Sequence, residues 1–346
     1  MTRPATTSGP APHASSGSAV GVRLVATGSA VPDRELHNSD LERMMKTSSE
    51  WIEQRTGILS RRIVDPASEG TFTLSRDALI SALDAAGMRG SDLDLVLVAT
   101  CTGEMSCPSI ACRVAASVGA IPAAAFDLVA ACSGFVYAMN VADSLLRSGR
   151  FRTVGVVGCD AMTTVIDYDD RSISILFGDA GGAAILTADP DSGRGCIYQH
   201  LGSDGSNWEA LYMPRRAQDI PASDRDNPIR LGCLRMNGRE VFRFAVTKFR
   251  EVIEEALKAT GLAPSEISQF ICHQSNIRII DAAVEKLGLP RDRVHVNIDR
   301  FGNSSAGSVA LCLDQVWRAG KLPVGEPMIM VAFGGGLTWA SSVWRV

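Results

Sequence analysis

The chain has 346 residues, 46% hydrophobic and 21% charged, with a formal net charge of -4 at pH 7 and a sequence pI near 5.8. That composition excludes a disordered or fibrous polypeptide and offers no overall basic field for nucleic-acid binding. No run of roughly 18 or more apolar residues occurs, so no membrane-spanning helix is expected.

Residues 1–20, MTRPATTSGPAPHASSGSAV, hold Ala, Ser, Thr and Pro but no apolar block. They lack the large side chains that packing needs and read as a disordered tail, the alternative being a transit peptide with its single Arg. Short apolar runs then alternate with amphipathic stretches. Expected strands are Val22–Ala26, Leu95–Ala99, Phe126–Val129, Val154–Gly158, Ala183–Leu186, Phe270–Cys272 and Met328–Phe333. Expected helices include Leu74–Ala86, Phe135–Arg147, Val241–Thr260 and Ile277–Leu287. Alternation of this kind predicts layered α/β architecture.

Nine cysteines are scattered along the chain without a CxxC pair. An odd number without metal-ligand spacing argues against a disulfide framework or a zinc site, and for thiols in a reducing compartment such as the cytoplasm.

Two segments match later ones at nearly constant spacing. ALISALDAAGMRGSDLDLVLVA, from Ala78, lies over EVIEEALKATGLAPSEISQFICH, from Glu251. AACSGFVYAMNVADSLLRSGR lies over FGNSSAGSVALCLDQVWRAGK, which sets Asp143 on Asp314, Arg147 on Arg318 and Cys132 on Asn303. The chain therefore divides into a first half, 21–190, and a second half, 191–346. Ligand sites form where such halves meet, so Cys132 and Asn303 should face one pocket.

Cys132 follows the apolar run FDLVAA and precedes a helical pattern. A thiol there sits at a helix N-terminus, where the dipole and free N–H groups favour thiolate; a buried structural cysteine is the plain alternative. His273 ends the strand SQFIC, a position that suits chemistry or merely a helix cap. Asn303, in RFGNSSAGS, offers amide donors or is only a turn residue. Phe333-Gly334-Gly335-Gly336 follows the strand MIMVA and lets backbone N–H groups approach a bound carbonyl; a tight turn has the same composition.

Taken together, SSEWIEQRTGI, AFDLVAACSGF, DRSISILFGDAGGAAIL, HQSNIRII, DRFGNSSAGS and AFGGGLTW occur in an order and spacing that resemble β-ketoacyl-[acyl-carrier-protein] synthase III, a condensing enzyme of the thiolase-like superfamily. The resemblance runs from about Val22 to Val346. It implies a duplicated thiolase-like αβαβα five-layer sandwich, a homodimer built through the first half, and a catalytic set of Cys132, His273 and Asn303. It also implies an oxyanion hole from the N–H groups of Cys132 and Gly335, and coenzyme A contacts at Trp51, Arg55 and Arg171. A carrier-protein patch at Gln274, Ser275, Asn276, Ile277 and Arg278 follows, with Arg243 on the preceding helix. Lys248 and Arg250 read instead as an ordinary solvated helix face. Cys107 stands where some relatives carry a bulky Phe that limits the acyl pocket, so a wider pocket is one reading and neutral drift the other.

The implied reaction is decarboxylative condensation of an acyl-coenzyme A starter with malonyl-acyl carrier protein, through an acyl-Cys132 intermediate. No metal, permanently bound cofactor, nucleic acid or membrane enters it. A starter-unit synthase of a polyketide or other secondary pathway would share every motif. A non-catalytic carrier-binding subunit would lack the nucleophile.

Overall fold

The computed structural model describes residues 21–190 and 192–346; the tail expected at 1–20 lies outside the described residues. Five strands make the first sheet: β1 (Val22–Ala30), β2 (Leu95–Ala99), β3 (Ala124–Leu128), β4 (Thr153–Ala161) and β5 (Asp179–Ala188), in the order β1-β5-β4-β2-β3. Four make the second: β6 (Gly195–Ser203), β7 (Gln269–Cys272), β8 (Pro327–Gly334) and β9 (Thr338–Arg345), in the order β7-β8-β9-β6. The pairs β2/β3, β2/β4 and β7/β8 are parallel, the rest antiparallel.

Alternation along the buried strands distributes side chains between layers, because successive residues point to opposite faces. Leu95, Leu97 and Ala99 face the central layer, while Val96 and Val98 face the outer helices α1 (Thr71–Ala86) and α2 (Ile110–Ser117). In β8, Met328, Met330 and Ala332 face the centre, whereas Ile329, Val331 and Phe333 pack against α4 (Gly238–Thr260) and α5 (Ile277–Leu287). The central layer holds α3 (Gly134–Arg147) and α6 (Ala306–Arg318), which touch each other and both sheets. The result is a five-layer αβαβα sandwich of the thiolase-like kind.

The repeat is visible in detail. α1 and α4 each end in a left-handed glycine, Gly87 (φ 64°) and Gly261 (φ 70°), followed by a 3-10 turn and a buried strand. α3 and α6 each carry an i,i+4 ion pair anchored on a buried acid, Asp143–Arg147 at 2.7 Å and Asp314–Arg318 at 2.9 Å. Expected and observed elements differ at the ends and in two strands the sequence pattern does not announce, β6 and β9. The strand expected at Phe126–Val129 is Ala124–Leu128. No helix among the described residues is long and apolar enough to cross a membrane.

Candidate active site

Three chain crossings converge on one cavity of about 540 Å³, which Cys132, His273 and Asn303 all line. Cys132 lies in a 3-10 turn, Ala131–Ser133, that joins β3 to α3. Ala131 takes a left-handed backbone (φ 46°) to make the turn. Gly334 packs so closely that a Cβ there would stand 2.6 Å from the Cys132 nitrogen.

The thiolate expected from the helix end is not what the surroundings favour. Burial pushes the Cys132 thiol up to about 12; a hydrogen bond from the Ser305 side chain pulls the other way, and the nearby Asp160 carboxylate adds to the rise. Desolvation disfavours the charged form of a buried thiol, so the resting surroundings of Cys132 favour the protonated form, and the proton is lost in the course of attack.

Asp160 is buried and fully engaged. One oxygen accepts from the Thr100 and Thr102 hydroxyls and the Cys101 N–H at 2.8–2.9 Å, the other from the Ala306 N–H at 3.1 Å. It thereby ties the loop after β2 to the start of α6.

His273 continues β7, its N–H donating to the Val331 carbonyl at 2.8 Å. The ring is 1% exposed, and burial lowers it to about 3, so it is neutral at physiological pH. Nδ1 lies 2.6 Å from the Ser308 hydroxyl, and the Phe333 ring stands edge-on at 5.3 Å between centroids. Asn303 is held through its backbone to Leu176 and Gly178, and its Oδ1 accepts from the Ser305 N–H at 2.9 Å. Its amide NH2 is then the end left for a ligand. Ser305 itself adopts φ 50°, a conformation non-glycine residues rarely take.

The cavity's mouth is cationic: Arg55, Arg239 and Arg278 line it, and no Asp or Glu among the described residues does. Trp51 lines it too, with the Arg171 guanidinium 5.0 Å and that of Arg55 5.9 Å from its ring centroid. Arg171 also donates to the Lys46 carbonyl at 2.7 Å.

Other expected residues fall differently. Gln274 is completely buried; its amide donates to the Cys272 and His295 carbonyls and accepts from the Asn297 and Ile298 N–H groups. It is a structural clasp, and the expectation that it contacts a carrier protein is corrected. Asn276 caps α5 and donates to the Arg55 carbonyl at 3.0 Å. Ile277 is half-buried against Gly57. Ser275 and Asn276 line the cavity, and Arg278 and Arg243 are exposed at its rim and on α4. Lys248 is paired with Glu251 at 2.7 Å and lies over Trp339. Gly335 sits one residue beyond the cavity wall, in the turn between β8 and β9. Cys107 is exposed, away from this cavity. The pattern in sequence marks Phe333 and Gly334 only as part of a Gly-rich turn, and it does not mark Ser305 or Ser308, although DRFGNSSAGS contains both.

Residues 126–205 match the family model described as 3-oxoacyl-[acyl-carrier-protein (ACP)] synthase III, and residues 257–346 match the model of that enzyme's C-terminal part. The chain is 44% identical over 320 residues to a protein of Caldanaerobacter subterraneus subsp. tengcongensis named beta-ketoacyl-[acyl-carrier-protein] synthase III, covering 92% of this chain and 96% of the relative. Among solved structures it is similar to 3-oxoacyl-[acyl-carrier-protein] synthase III of Aquifex aeolicus (TM-score 0.86, 39% identity, 94% and 100% of the two chains). It is also similar to the priming beta-ketosynthase of the R1128 polyketide biosynthetic pathway (TM-score 0.86, 37% identity, 95% and 97%).

Proposed function

The chain belongs to the 3-oxoacyl-[acyl-carrier-protein] synthase III family, and from that premise we propose how its own residues carry the reaction. It is a condensing acyltransferase that joins an acyl-coenzyme A starter to malonyl-acyl carrier protein, giving 3-oxoacyl-acyl carrier protein and initiating fatty acid synthesis.

The observation that carries the assignment of roles is the shared cavity: a thiol, a neutral imidazole and a carboxamide face one space with a cationic mouth. Cys132 is the nucleophile. Its sulfur attacks the thioester, the tetrahedral oxyanion accepts from the N–H groups of Cys132 and Gly335, and the carbon–sulfur bond to coenzyme A breaks, the thiol proton of Cys132 ending on the departing coenzyme A thiolate. Malonyl-acyl carrier protein then enters. His273 and Asn303 donate to the malonyl thioester oxygen, stabilising the charge that builds as carbon dioxide leaves. The carbanion so formed attacks the acyl-Cys132 carbonyl and expels the Cys132 thiolate, which takes up a proton to restore the resting thiol. Because decarboxylation generates the nucleophilic carbon, donors are needed and a strong base is not, which suits a carboxamide and a neutral ring.

Trp51, Arg55 and Arg171 bind the nucleotide of coenzyme A, aromatic and guanidinium faces both stacking on a base. Arg243 and Arg278 meet the acidic carrier protein, and Ser275, Asn276 and Ile277 shape the approach. No permanent cofactor takes part, and the enzyme acts in the cytoplasm.

The halves 21–190 and 191–346 act as one unit, and the working enzyme is a homodimer. The edge strand β3 supports this, with Phe126 exposed on it and Val129 just beyond, an open ladder that a second copy can extend. Cys107 would reach the partner's acyl pocket. The likeness to the R1128 priming enzyme supports a second reading, in which the product enters a polyketide pathway.

Intact-protein mass spectrometry after incubation with acetyl-, isobutyryl- and octanoyl-coenzyme A tests the assignment. One acyl group is expected on Cys132 and none on Cys132→Ala. An acyl group elsewhere, or none, overturns it. Transfer to malonyl-loaded fatty-acid and polyketide carrier proteins separates the two pathways.

A further inference from the structure

His273 has two ring nitrogens and, being neutral, one proton to place on them. A donor into the cavity requires that proton on Nε2, since Nδ1 is turned to Ser308. We propose that Ser308 is the positioning residue for His273: its hydroxyl donates to Nδ1 and so holds the ring proton on Nε2, the nitrogen left to the cavity. The inference rests on the condensing reaction above and adds to it a residue that touches no substrate.

Two observations support the direction of that bond. Both residues are 1% exposed, so neither has solvent as an alternative partner. The second concerns where the serine proton could otherwise go. A helical serine or threonine commonly donates to the carbonyl about one turn back, and Ser117, Ser144 and Thr260 do so here at 2.7–2.9 Å. Ser308 stands in the first turn of α6 but makes no such bond; the partner of its hydroxyl is the imidazole at 2.6 Å. Were Nδ1–H the donor instead, the serine proton would be buried without an acceptor, a costly arrangement. With the hydroxyl donating, every polar hydrogen of the pair has a use.

The assignment divides the two half-reactions. With its proton on Nε2, His273 has no lone pair turned to Cys132 and does not take the thiol proton. It acts on the malonyl thioester oxygen, where it accompanies the Asn303 amide. Phe333, edge-on to the ring, supplies no competing polar group. Ser308 therefore governs decarboxylation and leaves acylation alone.

The test uses the unmodified full chain labelled with 15N-histidine, the His273 signals being assigned by their loss in His273→Gln. Nitrogen shifts are expected to show Nε2 protonated and Nδ1 as a hydrogen-bonded acceptor; the reverse tautomer overturns the proposal. In parallel, Ser308→Ala is assayed for acyl transfer from acetyl-coenzyme A and for decarboxylation of malonyl-acyl carrier protein. Acylation should stay within about threefold, while the turnover number for decarboxylation falls roughly tenfold or more, as for a weakened oxyanion donor. Equal loss in both steps, or none in decarboxylation, overturns the positioning role. If Ser308→Ala does not fold, the tautomer in the unmodified protein decides alone. Failure of the unmodified protein to form an acyl-enzyme would count against the condensing reading and leave the tautomer result standing separately.

Discussion

Phe177 and Asn303 form a parallel β-bridge between the two halves of the chain. The Asn303 N–H donates to the Leu176 carbonyl at 2.9 Å, and its carbonyl accepts from the Gly178 N–H at 3.1 Å. Ser305 N–H takes the side-chain oxygen, so backbone and carboxamide are both oriented before substrate arrives.

That arrangement makes Asn303→Asp more informative than a truncation. The acid keeps the bond from Ser305 but presents an acceptor to the cavity instead of a donor. Malonyl decarboxylation should fall by roughly two orders of magnitude or more, the usual effect of removing an oxyanion donor, while acylation from acetyl-coenzyme A persists. Measuring the two partial reactions separately checks this; an equal fall in both contradicts the role.

The reactivity of Cys132 should follow its burial. With the thiol raised to about 12, iodoacetamide alkylation should rise nearly tenfold per pH unit from pH 6 to pH 9 without a plateau. A plateau near neutrality would reveal a pre-formed thiolate. Alkylation followed by peptide mass spectrometry reads Cys132 apart from the exposed Cys107 and Cys112.

His273 ties stability to pH. Its folded value of about 3 lies below its ordinary 6.5, so the unfolded chain binds its proton first as the solution is acidified. The stabilisation from a neutral ring is complete above pH 6.5 and declines as pH falls towards 3. From pH 7 to pH 5 the loss is about 2 kcal/mol. Asp179, which burial raises to about 6, contributes in the opposite sense over part of this range. Urea midpoints of the unmodified protein and His273→Gln at both pH values isolate the histidine, and the variant should lose less on acidification.

Neighbouring glycines should respond unequally to a methyl group. At Gly334 a Cβ would meet the Cys132 nitrogen at 2.6 Å, whereas at Gly335 it would touch Leu211 at 3.4 Å. Gly334→Ala should cut acylation about a hundredfold by displacing the nucleophile turn, and Gly335→Ala only a few-fold, since it keeps its backbone N–H. Comparable losses would mean that the wall is more compliant than its packing indicates.

Arg171 lies 5.0 Å from the Trp51 ring centroid. On the proposal that Arg171 binds the nucleotide of coenzyme A and not the reacting carbonyl, Arg171→Ala should raise the KM for acetyl-coenzyme A roughly tenfold with little change in the turnover number. Steady-state kinetics at saturating malonyl-acyl carrier protein provides the check.

Much of the fold was legible because β2, β4, β7 and β8 are continuous buried runs. Leu95–Ala99 and Ile277–Leu287 have the same limits in sequence and structure. β6 and β9 escaped for a physical reason. GCIYQHLGS mixes glycine with half-exposed polar residues, and in TWASSVWR the adjacent serines Ser341 and Ser342 are buried, one towards each face of the strand, which breaks the apolar pattern of both. Cys132, His273 and Asn303 announce themselves by lying at junctions between elements. Ser308 does not, because a serine in the first turn of a helix resembles any other. Gln274 misled for the converse reason: contiguity in HQSNIR suggests one surface, but the chain turns and takes the glutamine inside. Whether a residue faces a partner or its own interior depends on contacts that sequence neighbours do not record.

The twin ion pairs on the two central helices, Asp143–Arg147 and Asp314–Arg318, brace both helices in the same way, while the residues just ahead of them differ, Cys132 before one and Asn303 before the other. The likeness of the two halves lies in the shafts of these helices and their chemical difference at the tips.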